Sequence, residues 1–342
     1  MKNKSFFQLM IACIAFTLLA TPLSAADIRV AGSGASFPAP IYTTWFKEFS
    51  RANQDIQVNY QSKGSGAGIR DFQNQTVDFA ASDAAMTDEE MAAVKQGVQL
   101  LPMTAGKIVL AYNLSGVKDL KLSRAAYPAI FLGKIKKWND PVIAAANPGV
   151  KLPDQEITVV TRADSSGTTF VFTKHLSAIS EDFKNGPGVG TSINWPEGVK
   201  LIKAPKNDGV TANIKQTPGA IGYIEYGFAR MANLATAHLE NKAGKFIAPS
   251  LESGQAALAN ATIPENMIAW LPDPAGEKSY PIVTFTWMIF YKKYDDPKKA
   301  EALRKMVVYS LDEGQKLADK AGYIPLPSNV VELVRKASAN IQ

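Results

Sequence analysis

The chain has 342 residues, of which 46% are apolar and 20% are charged, and its formal net charge is +6. This length suits two domains better than one core, and the composition is that of a globular protein. The basic residues are scattered, whereas a nucleic-acid-binding protein would gather them on one face, so we expect no nucleic-acid partner.

The first 26 residues have the pattern of a secretory signal peptide. Lys2 and Lys4 precede an apolar run at 6–19, and the small residues at 23–26 predict cleavage near residue 25 or 26. A membrane anchor is the alternative, but the run is shorter than the roughly 20 residues of a spanning helix. We therefore expect an exported, periplasmic protein with a mature charge of +4.

Cysteine usage agrees with export. Cys13 is the only cysteine, and it lies inside the apolar run rather than at its end, where a lipoprotein signal would place it. The mature chain is then expected to hold no disulfide, so core packing alone must stabilise it in an oxidising compartment.

After residue 26, strand-like and helix-like segments alternate along the chain. Ile41, Trp45 and Phe49 recur every four residues and mark one face of a helix, and Thr87 with Glu90 forms a capping box. Alternating strands and helices predict an α/β fold in which helices cover both faces of a sheet. The predicted strands are 28–31, 56–60, 77–81, 108–112, 157–160, 220–224 and 283–291, and the predicted helices include 41–49, 170–176 and 299–319.

Four strand-like runs end in a turn of small or polar residues that leads into a helical stretch. In an open α/β sheet such turns gather at the carboxyl ends of the strands, where ligands bind. Helix starts offer unpaired N–H groups, and hydroxyls add donors, so together the turns favour an anion. Any single turn is equally consistent with ordinary helix capping. The turns are 32–36, 64–68, 82–83 and 164–168.

Two charged features adjoin these turns. Arg162 and Asp164 lie two apart, so on a continued strand both would point to one face. They form either a solvated pair or a guanidinium fork that Asp164 holds ready for a tetrahedral anion. Asp83 is either an ordinary helix-entry residue or an acceptor for a proton that the anion carries. An acceptor in that position would select phosphate and reject sulfate, which carries no proton near neutral pH.

Five motifs stand out along the chain: GASFPAP (34–40), VDFAASD (77–83), LGKIKKW (132–138), RADSSGTTF (162–170) and PGAIGY (218–223). Together they closely resemble the periplasmic phosphate-binding proteins of high-affinity phosphate ABC transporters. They occur in order, and the resemblance runs from about residue 30 to about 230, then more faintly to Leu326. It implies a two-lobed periplasmic-binding-protein fold, type II-like, with two sheets flanked by helices, a hinge and a ligand cleft between the lobes.

The resemblance also implies the lobe boundaries and the site. Lobe I is expected to comprise 27–110 and 288–342, and lobe II 111–287. Two departures from the family's pattern keep the expected donors: Ser36 stands where threonine is common, and Gly-Ala-Gly follows Ser65 where a second serine is common. The implied phosphate ligands are the hydroxyls of Ser36 and Ser65, the backbone of Phe37, the Asp83 carboxylate, the Arg162 guanidinium oriented by Asp164, and the helix start at Ser166, Gly167 and Thr168.

The expected function is capture of inorganic phosphate and its delivery to the permease of an ABC transporter, by a monomer without a cofactor. A receptor for sulfate or molybdate is the alternative within this class, and Asp83 argues against it. A secreted phosphatase is the alternative outside it. The sequence has no G-x-S-x-G elbow, and its two histidines, His175 and His238, lie apart from any ligand cluster.

Overall fold

A computed structural model describes residues 27–259 and 261–342, so the predicted signal peptide lies outside the described residues. The strands are β1 (Ile28–Gly34), β2 (Ile56–Ser62), β3 (Phe79–Ser82), β4 (Val98–Tyr112), β5 (Lys121–Leu122), β6 (Thr158–Arg162), β7 (Leu201–Ala204), β8 (Ala220–Glu225), β9 (Ala235–Thr236), β10 (His238–Glu240), β11 (Phe246–Ile247) and β12 (Val283–Tyr291). The helices are α1 (Ala39–Ala52), α2 (Ser65–Gln73), α3 (Asp88–Ala92), α4 (Ala126–Phe131), α5 (Pro141–Ala146), α6 (Gly167–Ile179), α7 (Glu181–Asn185), α8 (Lys206–Gln216), α9 (Tyr226–Ala232), α10 (Leu251–Leu258), α11 (Pro297–Tyr309) and α12 (Ser328–Ser338).

The main sheet has the strand order β2-β1-β3-β12-β4-β8-β6-β7, with β9 beside β4. In its first half β1 is parallel to β2 and β3, and in its second half β6 is parallel to β7 and β8. Strand β4 belongs to both halves, because its residues up to Lys107 pair with β12 and those from Ile108 pair with β8. The predicted α/β class is confirmed. The two halves form one nine-stranded sheet that is continuous through β4, and β5, β10 and β11 form a separate three-stranded sheet.

The predicted helical face of α1 lies in the core. Ile41, Trp45 and Phe49 are at most 1% exposed. Three tryptophans, Trp45, Trp138 and Trp287, are fully buried, and each indole N–H donates to a backbone carbonyl at 2.7–3.0 Å. Burial of such large rings supplies much of the apolar stabilisation that a chain without disulfides requires.

The predicted helix at 299–319 is wrong at its carboxyl end, because α11 ends at Tyr309. A short π-helix at Ser310–Gly314 follows, and there the Gly314 carbonyl accepts the indole N–H of Trp45 at 2.8 Å. A Cβ on residue 314 would lie 2.8 Å from the Trp45 ring, so tight packing against α1 accompanies the change of helical geometry. The last helix, α12, is not among the elements predicted from the sequence.

Two exposed lysines of the motif at 132–138 form ion pairs on the surface. Lys134 pairs with Asp182 at 2.5 Å, and Lys137 pairs with Asp154 at 2.7 Å. Within residues 27–259 and 261–342, no helix is both long and apolar enough to cross a membrane.

Candidate functional site

The ends of strands from both halves of the sheet meet at one buried place. From the first half come the turn after β1, the start of α2 and the turn after β3. From the second half come the end of β6 and the start of α6. The predicted residues with polar side chains there are at most 6% exposed, namely Ser36, Ser65, Asp83, Arg162, Ser166 and Thr168.

Ser65 connects the two halves. Its Oγ accepts the backbone N–H of Asp83 at 3.3 Å and that of Gly167 at 3.1 Å. A Cβ on residue 167 would lie 2.6 Å from this Oγ and 2.7 Å from the Cβ of Asp83, so this approach requires glycine. Gly64 is also required, since it has φ +99° and a Cβ there would lie 2.3 Å from the Asp164 carboxylate.

Arg162 and Asp164 form a two-point ion pair at the end of β6. Arg162 Nε donates to one carboxylate oxygen of Asp164 at 2.8 Å, and Nη2 donates to the other at 2.5 Å. The Lys206 N–H also donates to this carboxylate at 2.9 Å. Although burial opposes the change, these contacts lower the pKa of Asp164, so it stays ionised. The pairing leaves Nη1 directed at the Thr168 hydroxyl, 3.2 Å away.

Asp83 is the only carboxylate of the predicted anion ligands, and it is 1% exposed. Thr286 Oγ1 donates to its Oδ1 at 2.9 Å, and Thr168 Oγ1 donates to its Oδ2 at 3.4 Å. Burial raises its pKa to about 7, while the bond from Thr286 and the charge of Arg162 oppose the rise. An acceptor therefore lies among N–H, hydroxyl and guanidinium donors.

The two other predicted ligands lie at helix starts. Ser166 is the N-cap of α6, where its Oγ accepts the Thr169 N–H at 3.0 Å. Phe37 precedes α1, its ring is fully buried, and its carbonyl accepts the Tyr323 hydroxyl at 2.6 Å. Both contacts fix the backbone where helix N–H groups begin, which is the geometry that favours an anion.

Two residues of this cluster were missed by the sequence analysis. Asn207, in the first turn of α8, contacts Ser36 and Thr168, and Thr286 of β12 contacts Asp83. The only sequence signal for Thr286 was its hydroxyl inside an apolar strand, and threonine is common in strands that have no role in binding. Asn207 follows a strand end, but its turn, Pro205-Lys206, lacks the glycines and serines of the other four.

The histidines lie apart from this cluster. His175 is buried between the Tyr127 hydroxyl at 2.8 Å and the Pro272 carbonyl at 2.6 Å, and burial lowers its pKa to about 4. In the part of the chain that the structure describes, no group of three His, Cys, Asp or Glu side chains is placed to hold a metal ion. The cluster around Asp83 is suited to binding an oxyanion through hydrogen bonds.

The fold shows the class to which the chain belongs, that of two-lobed α/β binding proteins of the periplasmic type. A family model described as a PBP superfamily domain matches residues 20–313. A solved phosphate-binding protein from Stenotrophomonas maltophilia shares this fold, with a TM-score of 0.74 at 21% identity over 90% of this chain and 93% of its own.

The family follows from relatives of higher identity. A phosphate-binding protein PstS from Haemophilus influenzae is 40% identical over 98% of this chain and 97% of its own. A PstS from Methanocaldococcus jannaschii is 34% identical over 90% and 84%. The chain belongs to the family of PstS phosphate-binding proteins, a family of binding proteins rather than enzymes.

The raised pKa of Asp83 predicts a pH-dependent stability cost. An unfolded Asp ionises near pH 4, but the folded carboxyl stays protonated until about pH 7, so this group makes the ligand-free protein less stable as the pH rises between them. Asp83→Asn mimics the neutral acid. Without ligand it should match the wild type at pH 4 and exceed it at pH 8, by up to about 4 kcal/mol in the free energy of unfolding.

Denaturant titrations across this pH range measure the difference. Asp55→Asn, at an exposed position, is the matched control and should follow the wild type throughout. Equal stability of Asp83→Asn and the wild type at every pH would show that Asp83 is not held in a desolvated site.

Proposed function

We propose that the protein binds inorganic phosphate between its lobes and delivers it to the permease of an ABC transporter, without covalent chemistry. The observation that carries the proposal is Asp83: one desolvated carboxylate surrounded by donors. Above the raised pKa of Asp83 the carboxylate is ionised, and such a set then accepts an anion only if the anion brings a proton for the carboxylate, as phosphate does. The relatives from Haemophilus influenzae and Methanocaldococcus jannaschii are named phosphate-binding protein PstS, which supports the same ligand.

The proposed ligands keep the roles that the sequence predicts. Hydroxyls, backbone N–H groups and the guanidinium surround the anion, and Asp83 accepts its proton, while Asp164 holds the arginine. The donors are fixed before binding, so they replace the water shell of phosphate at a small cost in ordering. The set is Ser36, Phe37, Ser65, Asp83, Arg162, Ser166, Gly167 and Thr168, with Asp164 in support.

We further propose the lobes 27–110 with 288–342, and 111–287, with a hinge between them. The change of partner within β4 at Lys107 and Ile108 supports a division near residue 110. Closure of the lobes over phosphate would create the surface that the permease recognises, and the monomer would suffice for this cycle.

Export to the periplasm is proposed from the sequence of residues 1–26. Cleavage after residue 25 or 26 would leave the described part of the chain intact. Mass spectrometry of protein recovered from a periplasmic extract should give a first residue of Ala26 or Asp27, whereas an uncleaved amino terminus would contradict export by this route.

The ligand and the role of Asp83 can be tested together by calorimetry near pH 8. We expect the wild type to bind one phosphate and to reject sulfate. Asp83→Asn should retain phosphate binding while its preference for phosphate over sulfate falls at least about tenfold, because the amide can donate to an anion without a proton.

The two parts of this experiment fail separately. A wild type that binds no phosphate contradicts the proposed function. A variant that rejects sulfate as strongly as the wild type contradicts only the role of Asp83 in selectivity. Asp55→Asn serves again as the control, and it should bind phosphate and reject sulfate as the wild type does.

A further inference from the structure

Asn207 is fully buried at the second position of α8, and its side-chain amide uses all of its hydrogen-bonding groups. Oδ1 accepts the Glu225 backbone N–H at 3.0 Å. Nδ2 donates to Ser36 Oγ at 3.0 Å and to Thr168 Oγ1 at 3.2 Å. Because a backbone N–H can only donate, the Glu225 contact orients the amide with its NH₂ group toward the two hydroxyls.

This contact determines what the Ser36 hydroxyl can do. Ser36 Oγ accepts both the Asn207 backbone N–H at 3.1 Å and one hydrogen of Nδ2. A hydroxyl has two lone pairs and one hydrogen, so two accepted bonds leave it only a hydrogen to offer. The Ser36 hydroxyl is thereby committed as a donor, which suits the oxygen of an anion.

The same amide acts on Thr168. Thr168 Oγ1 accepts Asn207 Nδ2 and Arg162 Nη1, both at 3.2 Å, and its own hydrogen is directed to Asp83 Oδ2 at 3.4 Å. Because both lone pairs of Thr168 Oγ1 are occupied, this hydroxyl can act only as a donor. One buried amide thus sets the hydrogen direction of a hydroxyl in each half of the site.

We propose that Asn207 is a positioning residue for the anion site, which commits the Ser36 hydroxyl to donation and keeps that of Thr168 turned toward Asp83. The inference rests on the proposed phosphate function and adds to it a residue outside the predicted ligands. A hydroxyl fixed as a donor before binding costs less to order than one that rotates freely.

Ser65 provides an internal comparison. Its Oγ also accepts two bonds, but both come from backbone N–H groups, those of Asp83 and Gly167. Ser65 is therefore committed as a donor independently of Asn207. Loss of the amide should remove the contribution of Ser36 to phosphate binding and leave that of Ser65, whereas a purely structural Asn207 would affect both serines alike.

The test is a pair of double-mutant cycles, in which phosphate affinity is measured by calorimetry. Asn207→Ala alone should weaken phosphate binding at least about tenfold. Ser36→Ala should weaken binding by a similar factor in the wild type and by less than about threefold in the Asn207→Ala background. Ser65→Ala should cost the same factor in both backgrounds.

Asn213→Ala is the matched control, because Asn213 is a half-buried amide on the same helix that donates to the Gly209 carbonyl. It should leave phosphate affinity and the effect of Ser36→Ala unchanged. Thermal unfolding of each variant verifies the fold. If Asn207→Ala does not fold, Asn207→Asp, which keeps the shape and the acceptor for Glu225, enters the same cycle with the same expected loss of the Ser36 contribution.

If Ser36→Ala weakens phosphate binding as much in the Asn207→Ala background as in the wild type, the inference is overturned while the phosphate function stands. Absence of phosphate binding by the wild type would overturn both, and the wild-type titration identifies that case. Nuclear magnetic resonance of the phosphate-bound wild type gives a check without any variant: coupling between the Ser36 hydroxyl proton and ³¹P supports the assignment, and a hydroxyl proton coupled to no phosphorus contradicts it.

Discussion

The site depends on the burial of one carboxylate. Asp83 is removed from water, which disfavours its charge, and only the hydroxyls of Thr286 and Thr168 and the nearby charge of Arg162 oppose that cost. The carboxylate is therefore balanced between its two protonation states near neutral pH. A ligand that brings its own proton satisfies the ionised acceptor, whereas a ligand that brings none either leaves two negative groups in contact or binds only the protonated carboxyl group.

The rest of the fold makes such a site possible. Parallel strands bring their carboxyl ends together, and the helices that follow present N–H groups and the positive ends of their dipoles. Strand β4 runs through both halves of the sheet, so the two sets of helix starts face each other. Where they meet, Gly64 and Gly167 allow backbone from one half to approach the other closely enough for Ser65 to accept bonds from both.

The sequence predicted the alternation of strands and helices, the buried face of α1 and the four turns, because period and turn chemistry are local. It did not predict that β4 begins at Val98, since a strand that is buried on both faces carries no alternation to mark its start. Thr286 and Asn207 were missed for another reason. Their importance lies in contacts with Asp83, Ser36 and Thr168, which are remote in sequence and which no local pattern reveals.

The central claim is that Asp83 and the bound anion share one proton. Neutron diffraction from deuterated crystals of the phosphate complex tests it most directly. The account predicts one phosphate oxygen at about 2.5–2.8 Å from a carboxylate oxygen of Asp83, with a single deuterium between them. A phosphate whose oxygens all lie beyond hydrogen-bond reach of Asp83, or a gap with no deuterium in it, would contradict the account.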